Sequence, residues 1–321
     1  MKLITTYRFQ PSALSRLQEE GYQVSVLPSE QALLESEEAA DADVIVANHR
    51  TLQVDFLEKC KRLKWAQVPH AGIERLDMNY MKRRGIIVIN ARGGFGTPIS
   101  EDILAKMLML SRNSLKYARN QFDRRWEGIK GTINLYGKTV GIVGTGDVGQ
   151  QTAWRAKSFG MTTVGVNTTG NSVIGFDRIY TRDRLNELIS ESDFVVLACP
   201  LTEQTRSIIG EEQLQRMKPS AFLINISRGA LIDETLLLHY LQNKKIAGAA
   251  LDVFVEEFKL GRLPETSPFW DLDNVIITPH QAGAGDQFDA RFTEVFLENA
   301  RHFIRGEWDR MVNVRDYGKG Y

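Results

Sequence analysis

Short apolar runs alternate with amphipathic segments along most of the chain. Before residue 91, runs typical of buried strands lie at 2–6, 22–27, 43–47, 64–68 and 86–90. Apolar residues at helical spacing predict helices over 12–20, 56–63 and 77–84, with a Glu-rich helix before residue 43. Strands that alternate with helices favour a mostly parallel sheet with helices on both faces.

A second series of the same kind begins near Lys138. Strands are predicted at 140–143, 162–166, 194–198, 221–226, 248–253 and 275–278, and helices at 148–159 and 289–305. Between the two series, Thr97 is the predicted N-cap and Pro98 the predicted first residue of a helix that extends to about Asn120. We expect this long helix to connect two domains.

Composition narrows the class of protein. The chain has 321 residues, which at ~150 residues per domain suggests two domains. Lys plus Arg and Asp plus Glu both number 40, so the net charge gives no reason to expect nucleic acid or a membrane as partner. No run reaches the ~18 apolar residues of a membrane-spanning helix. Two scattered cysteines, Cys60 and Cys199, fit a reducing compartment, so we expect a cytoplasmic protein.

A glycine-rich turn lies between the predicted strand 140–143 and the helix that follows it. It consists of Gly144, Thr145, Gly146, Asp147, Val148 and Gly149. In a turn of this type the first glycine allows the tight bend, the second lets the backbone approach a pyrophosphate, and the third lets helix and strand pack closely. The helix N-terminus then offers N–H groups to the phosphates. The turn therefore predicts a dinucleotide site, in which the Asp147 carboxylate would repel the phosphates unless it points away.

The next predicted strand ends without a carboxylate. It is followed by Asn167, Thr168 and Thr169. In NAD-binding proteins an acidic residue at this place holds the ribose hydroxyls, whereas NADP carries a phosphate there. Asn167 can bond a ribose without repelling that phosphate, and the two threonine hydroxyls can receive it. The pattern allows NAD and favours NADP.

Three segments of the second half carry the remaining chemistry: 223–233, 250–257 and 274–283. Together with the glycine turn upstream, their order and spacing resemble the D-isomer-specific 2-hydroxyacid dehydrogenases. The resemblance covers nearly the whole chain and is strongest over 137–283. The ending after Val314 is similar to that of the glyoxylate/hydroxypyruvate reductases of this family, in which use of NADPH is common.

The chemistry of a 2-oxo acid explains three of these residues. An arginine can present a fork of donors to the carboxylate and the carbonyl, and a histidine can donate the proton that the carbonyl oxygen needs. The resemblance implies these catalytic roles for Arg228 and His280, with Glu257 bonded to the other ring nitrogen of His280. Glu256 is the alternative to Glu257, because Phe258 stands where the family usually has a proline.

The resemblance implies further binding residues. The turn His70-Ala71-Gly72 would bind the substrate, with backbone N–H groups on its carboxylate and His70 beside its variable group. The implied cofactor-binding residues are Gly144, Gly146, Asp147, Val148, Gly149, Asn167, Thr168, Thr97, Pro200, Thr205, Ile226, Arg228, Asp252, His280 and Gly283. No His or Cys spacing typical of a metal site occurs.

The resemblance also implies the architecture and the reaction. We expect an α/β fold of two doubly wound parallel-sheet domains, with a Rossmann-type cofactor domain (99–288) inserted in a flavodoxin-like substrate domain (1–98 and 289–321). We expect a homodimer that reduces a small 2-oxo acid, such as glyoxylate or hydroxypyruvate, to the D-2-hydroxy acid with NADPH or NADH. Two alternatives stay open: a dinucleotide-sensing scaffold similar to the corepressors of this fold, and a different oxidation such as that of phosphite.

Overall fold

The chain divides into two compact units. The computed structural model describes residues 1–73 and 75–317, with the side chain of Phe258 outside the description. One unit combines Met1–Phe95 with the residues from Gly285 onward, and the other is Gly96–Ala284. The predicted boundaries, after residues 98 and 288, lie a few residues later in the chain. The ending that resembles the reductases extends beyond residue 317, outside the described residues.

The first unit is a parallel α/β layer structure. Its strands are β1 (Lys2–Thr5), β2 (Gln23–Val26), β3 (Val44–Val46), β4 (Trp65–Val68) and β5 (Ile87–Asn90). Its helices are α1 (Pro11–Glu19), α2 (Glu30–Glu35), α3 (Val54–Leu57), α4 (Met78–Arg84) and α12 (Phe288–Ile304). All strand pairs are parallel and the order is β2-β1-β3-β4-β5, the flavodoxin-like order.

Both faces of this sheet are buried, which explains the near-continuous apolar strands. One face packs against the α2, α3 and α4 side through residues such as Ile45, Ala66 and Val88. The opposite face, with Trp65, packs against Phe296 of α12. The last helix of the described chain therefore completes the core of the first unit.

The second unit is larger. Its strands are β6 (Thr139–Val143), β7 (Thr162–Asn167), β8 (Arg178–Thr181), β9 (Phe194–Leu197), β10 (Phe222–Asn225), β11 (Gly248–Leu251) and β12 (Val275–Ile277). Its helices are α5 (Gly96–Ser111), α6 (Ser114–Phe122), α7 (Asp147–Ser158), α8 (Leu185–Glu191), α9 (Glu211–Arg216), α10 (Glu234–Gln242) and α11 (Val255–Leu260).

The second sheet has the Rossmann strand order. Its seven parallel strands run β12-β11-β10-β9-β6-β7-β8. Numbered from β6, this is the order 3-2-1-4-5-6-7, an extension of the doubly wound 3-2-1-4-5-6 arrangement. Alternate residues of each strand enter two separate clusters, such as Val195 on one face and Val196 on the other. The predicted fold class is confirmed for both units.

Three local predictions are wrong. The long helix predicted to Asn120 ends at Ser111, because Asn113 adopts the left-handed conformation (φ 55°) before α6 begins. Thr97 is not an N-cap, since the helix has already started at Gly96. The helix predicted over 56–63 spans only Val54–Leu57, and the Arg84 guanidinium donates to the carbonyls of Leu57, its last residue, and of Cys60 beyond it.

Within the described residues, no helix is both long enough and apolar enough to cross a bilayer.

Candidate active site

The carboxyl ends of the second sheet's strands lie along one edge, because every strand runs in the same direction. The order of the strands reverses between β6 and β9, which is where α/β sheets bind their ligands. Each predicted site segment of this unit follows one of these strands. Gly144 follows β6, Asn167 ends β7, Arg228 follows β10 and His280 follows β12. The fold therefore gathers at one edge the residues that the sequence separates.

The glycine turn after β6 is closed to a side chain at Gly144 and Gly149 and open at Gly146. A Cβ at Gly149 would lie 2.1 Å from the carbonyl oxygen of Gly144. Gly146 is the N-cap of α7 and provides no side-chain cap, and a Cβ there would meet nothing within 4 Å. The N–H groups of the first turn of α7 therefore receive no side-chain acceptor from Gly146, and the space beside Gly146 is open. These features fit the pyrophosphate of a dinucleotide.

Asp147 and Val148 begin α7, directly after the turn. A Cβ at Gly96 would come within 2.3 Å of the Asp147 carboxylate, so that carboxylate lies against the start of α5. A negative charge at the N-terminus of a helix is favourable. The proposed contribution of Asp147 to a cofactor therefore rests on its backbone N–H.

Asn167 fixes the turn at the end of β7. Its Oδ1 accepts hydrogen bonds from the backbone N–H groups of Thr169 (3.1 Å) and Gly170 (2.6 Å). Its Nδ2 donates to Thr145 Oγ1 in the glycine turn at 3.1 Å. Thr168 and Thr169 are exposed beside it. The turn thus presents hydroxyl and amide groups and no carboxylate.

Arg228 is held by the turn that follows β10. Asn225, which is fully buried, donates from Nδ2 to the carbonyl of Arg228 at 2.9 Å and accepts from the N–H of Ser227 at 3.1 Å. A Cβ at Gly229 would lie 2.3 Å from the backbone carbon of Phe254. This close approach brings Arg228 beside the start of α11, which carries Glu257. Neither Asn225 nor Gly229 was selected from the sequence.

Glu257 and His280 form the pair that the sequence predicts. His280 Nδ1 lies 2.8 Å from Glu257 Oε1. The pair is accessible, since 46% of the His280 side chain and 24% of the Glu257 side chain are exposed. Burial acts to raise the pKa of Glu257. The hydrogen bond and charge of His280, a hydrogen bond from the Phe254 backbone and the charge of Arg228 together lower that pKa below the usual range. Glu257 is therefore an anion beside the imidazole. The exposed neighbour, Glu256, has no such contact with His280 in these described residues.

A second glutamate supports this arrangement. Glu234, the first residue of α10, accepts a hydrogen bond at 2.7 Å from the N–H of Val255, which begins α11. Burial, followed by the charges of Glu256 and Glu257, raises the pKa of Glu234 despite that bond. Glu234 thus fixes the start of the helix that carries Glu257. No sequence pattern indicates this role, because the two helices meet only in the folded unit.

Asp252 lies behind His280. It is 1% exposed, and its backbone carbonyl accepts from the N–H of His280 at 2.9 Å. Its carboxylate accepts from the hydroxyl of Thr278 and from the N–H groups of Gln281 and Ala282, the latter two at 3.0 Å. His280 itself has φ 54°, an unusual conformation for a residue with a side chain. The loop is therefore shaped around Asp252.

The other proposed cofactor residues of the second unit lie at the same edge. Thr205 Oγ1 donates to the carbonyl of Pro200 at 2.7 Å and so closes the loop after β9. Ile226 is 6% exposed after β10, and Gly283 follows the His280 loop. Thr97 lies in the first turn of α5, next to Gly96, which the Asp147 carboxylate approaches.

In the first unit, the proposed substrate turn follows β4. His70 Nε2 lies 3.1 Å from the amide nitrogen of Asn48, and the carbonyl of His70 accepts from the N–H of Ala91 at 3.0 Å. The carbonyl of Ala71 accepts from Asn90 Nδ2 at 2.5 Å. Gly72 follows, half-buried. The carbonyls of His70 and Ala71 are thus engaged, the backbone N–H groups of Ala71 and Gly72 are the proposed donors, and His70 is exposed.

No group of three or more His, Cys, Asp or Glu side chains among residues 1–73 and 75–317 is arranged to hold a metal ion.

A family model described as D-isomer specific 2-hydroxyacid dehydrogenase, NAD binding domain, matches residues 104–282. The chain belongs to the D-isomer specific 2-hydroxyacid dehydrogenases. The family resemblance inferred from the sequence is thereby confirmed, and the matched residues lie within the second unit.

Relatives agree with this assignment over almost the full chain. This chain is 37% identical to a D-3-phosphoglycerate dehydrogenase of Methanocaldococcus jannaschii. The match covers 98% of this chain and only 60% of that protein. The chain is 34% identical to a glyoxylate reductase of Pyrococcus furiosus over 95% of this chain and 93% of that one. A solved acyclic imino acid reductase, in complex with NADPH and D-Arg, superposes with a TM-score of 0.84 at 25% identity, covering 98% of this chain and all of the other.

The dehydrogenase is therefore an oxidoreductase that acts on CH–OH donors with a nicotinamide dinucleotide. The Rossmann order, the glycine turn and the family match support NAD or NADP as the cofactor.

Proposed function

We propose that this dehydrogenase reduces a small 2-oxo acid, such as glyoxylate or hydroxypyruvate, to the D-2-hydroxy acid. The observation that carries the proposal is the 2.8 Å contact between His280 Nδ1 and Glu257, with the charge of Arg228 close enough to lower the pKa of Glu257. A cation, a proton donor and its carboxylate partner are thus next to one another. The glyoxylate reductase of Pyrococcus furiosus, which matches 95% of this chain, supports the choice of a small acid.

Arg228 acts on the substrate as a fork of donors. Its planar guanidinium can bond the carboxylate and the carbonyl oxygen together. Bonds to the carbonyl strengthen as negative charge develops on its oxygen, so Arg228 stabilises the transition state as well as the bound acid. A bound nicotinamide dinucleotide supplies the hydride that the carbonyl carbon receives.

His280 supplies the proton. With Nδ1 bonded to Glu257, the other ring nitrogen, Nε2, is left to donate to the substrate oxygen. The Glu257 anion stabilises the positively charged imidazolium before transfer and fixes the orientation of the ring. In the direction of oxidation the neutral imidazole accepts the proton from the hydroxyl group.

We also propose that NADPH is the preferred cofactor. Asn167 places no charge where a 2′-phosphate would lie, and the exposed hydroxyls of Thr168 and Thr169 stand next to it. The structurally similar imino acid reductase was solved with NADPH, which supports this preference.

Replacing Asn167 with aspartate is expected to reverse the preference. The change keeps the oxygen that accepts from Thr169 and Gly170, and it adds one negative charge. Like charges brought together cost several kcal/mol, so the ratio of kcat/KM for NADPH to that for NADH should fall by about 10–100-fold. Asn171→Asp, on the same exposed turn, is the matched control. An unchanged ratio in Asn167→Asp would show that this residue does not face the ribose.

Glu257→Gln is expected to slow reduction and to move the alkaline limb of the kcat–pH profile to lower pH. The reason is that the ionised Glu257, whose pKa is lowered, favours the protonated imidazole that reduction requires. Glutamine keeps the size of the side chain and removes the charge. Glu256→Gln should behave as the unchanged protein. If Glu256→Gln slowed reduction and Glu257→Gln did not, Glu256 would be the partner of His280.

The first unit is proposed to contribute substrate contacts through His70 and the N–H groups of Ala71 and Gly72.

A homodimer formed through the second unit is also proposed. Its support is a set of aromatic side chains that stand in water in the described chain: Phe122 (85% exposed), Trp126 (102%) and Tyr136 (81%). Large exposed aromatics are characteristic of protein interfaces.

The experiment that tests the reaction follows consumption of NADPH and NADH with glyoxylate, hydroxypyruvate, pyruvate and phenylpyruvate. Fast turnover of one acid by the purified protein, with the D-hydroxy acid as product, is the expected result. Cofactor binding without turnover of any acid would favour the dinucleotide-sensing scaffold. Turnover of phosphite with NAD or NADP and not of the acids would favour the other oxidation. The molar mass of the same sample in solution reports the oligomeric state.

A further inference from the structure

We propose that Lys106 is a positioning residue for His280. Its ammonium group lies between the carboxylates of Asp102 and Asp252, and it holds Asp252 in the place from which Asp252 shapes the loop that carries His280. This inference rests on the proposed function of His280. It concerns a residue of α5 that the proposed mechanism does not otherwise use.

Lys106 is buried in an apolar helix face. It is 1% exposed, and its neighbours Ile103 and Met107 belong to the core cluster that packs on the second sheet. A lysine is almost never fully buried unless a partner compensates its charge. Burial of this cation is therefore costly for the fold and calls for a specific partner.

Two carboxylates compensate that charge. Lys106 Nζ donates to Asp102, one helical turn earlier on α5, and lies 4.0 Å from Asp252 Oδ1. The side chain of Asp252 is completely inaccessible to water. Burial and the Asp252 charge raise the pKa of Asp102, against the opposing effect of Lys106. The cluster joins two carboxyl groups and one ammonium group, that of Lys106.

Asp252 transmits this contact to the loop. Its carboxylate and carbonyl accept from four groups of the loop, on Thr278, His280, Gln281 and Ala282. His280 has a left-handed backbone conformation, which persists only where the surroundings determine it. A rotation of the Asp252 carboxylate would release the bonds from Thr278, Gln281 and Ala282 together. The order of contacts is therefore Lys106, Asp252, the 278–282 loop and the imidazole.

The test compares Lys106→Met with the unchanged protein. Methionine has a similar length and no charge. Arg216→Met is the matched control, because Arg216 also pairs with a carboxylate four residues earlier on a helix but is exposed. The first measurement is amide hydrogen exchange of Gln281 and Ala282, which requires no substrate. The second is kcat, KM and the cofactor Kd with the best 2-oxo acid.

We expect exchange at Gln281 and Ala282 to accelerate in Lys106→Met while strand β6 stays protected. We expect kcat to fall by about 10–100-fold, as for a misplacement of a catalytic group by about 1 Å. Unchanged exchange and kcat in the folded variant would overturn the proposal. Acceleration spread evenly over the second unit would also overturn it, since that indicates a purely structural role.

A second variant removes one of the two carboxylates that Lys106→Met leaves without a cation, in case Lys106→Met does not fold. In Asp102→Asn combined with Lys106→Met, the same local acceleration at Gln281 and Ala282 is expected, and its absence would contradict the proposal. If the unchanged protein reduces no 2-oxo acid, the proposed function fails, while the exchange measurement still decides the role of Lys106.

Discussion

Replacing His280 with alanine should lower kcat for reduction of the 2-oxo acid by about 10²–10⁴-fold, the usual contribution of a general acid. In the proposed mechanism the proton comes from Nε2 of His280, because Nδ1 is bonded to Glu257. Alanine has no group that could donate this proton. Cofactor binding should persist, because the glycine turn follows a different strand. The measurement is stopped-flow consumption of the reduced cofactor, with the Kd obtained by fluorescence titration.

Two controls make this result interpretable. His280→Asn tolerates the left-handed backbone that alanine strains, and it should be equally slow if the proton donor rather than the backbone is what matters. His239→Ala, on an exposed histidine of α10 that bonds only its own helix in the described contacts, should retain full activity. A His280→Asn variant with the unchanged kcat would remove His280 from the mechanism.

Replacing Arg228 with alanine should lower kcat/KM by about 10²–10³-fold, because loss of one partner of a hydrogen-bonded charge pair costs about 2–5 kcal/mol. Both KM and kcat should change, since Arg228 is proposed to bind the carboxylate in the ground state and the developing oxyanion in the transition state. Initial rates over a range of acid concentrations separate the two effects.

Arg228→Lys tests the geometry of the fork. Lysine keeps the charge but cannot make the paired, planar contacts of a guanidinium, so it should recover only part of the lost kcat/KM. Arg184→Ala, which removes a surface arginine paired with Glu187, should leave both constants unchanged. A change confined to KM in Arg228→Ala would mean that Arg228 binds the acid without stabilising the transition state.

Local sequence patterns were sufficient for much of the fold. Apolar runs located the buried strands of both sheets within a few residues, because parallel strands covered on both faces are apolar throughout. The GxGxxG turn indicated its own geometry, since only glycine fits where a Cβ at Gly149 would strike the carbonyl of Gly144. Backbone conformations set by distant groups were less accessible. At the end of α3 the carbonyls of Leu57 and Cys60 accept from Arg84, which lies in the helix after the next strand.

The candidate site was only partly readable for the same reason. Arg228, Glu257 and His280 stood out because their types and order resembled a known family. Asn225, Glu234 and Lys106 carried no such resemblance, and each acts through a partner from another segment. The pattern of α5 contained a hint, since Lys106 follows Asp102 by four residues within an apolar stretch. That spacing predicts an ion pair and cannot show that the pair is buried against Asp252.

The sequence by itself determined the two α/β series, the dinucleotide turn, the absence of a carboxylate after β7 and the family. Each of these depends on neighbouring residues or on residue type. Only the tertiary structure decided that the Glu257 carboxylate meets the His280 imidazole, that Asp147 turns toward Gly96, and that the 278–282 loop is built around Asp252. The physical reason is that hydrogen bonds and charge interactions act over a few ångströms, and only folding sets which distant residues come that close.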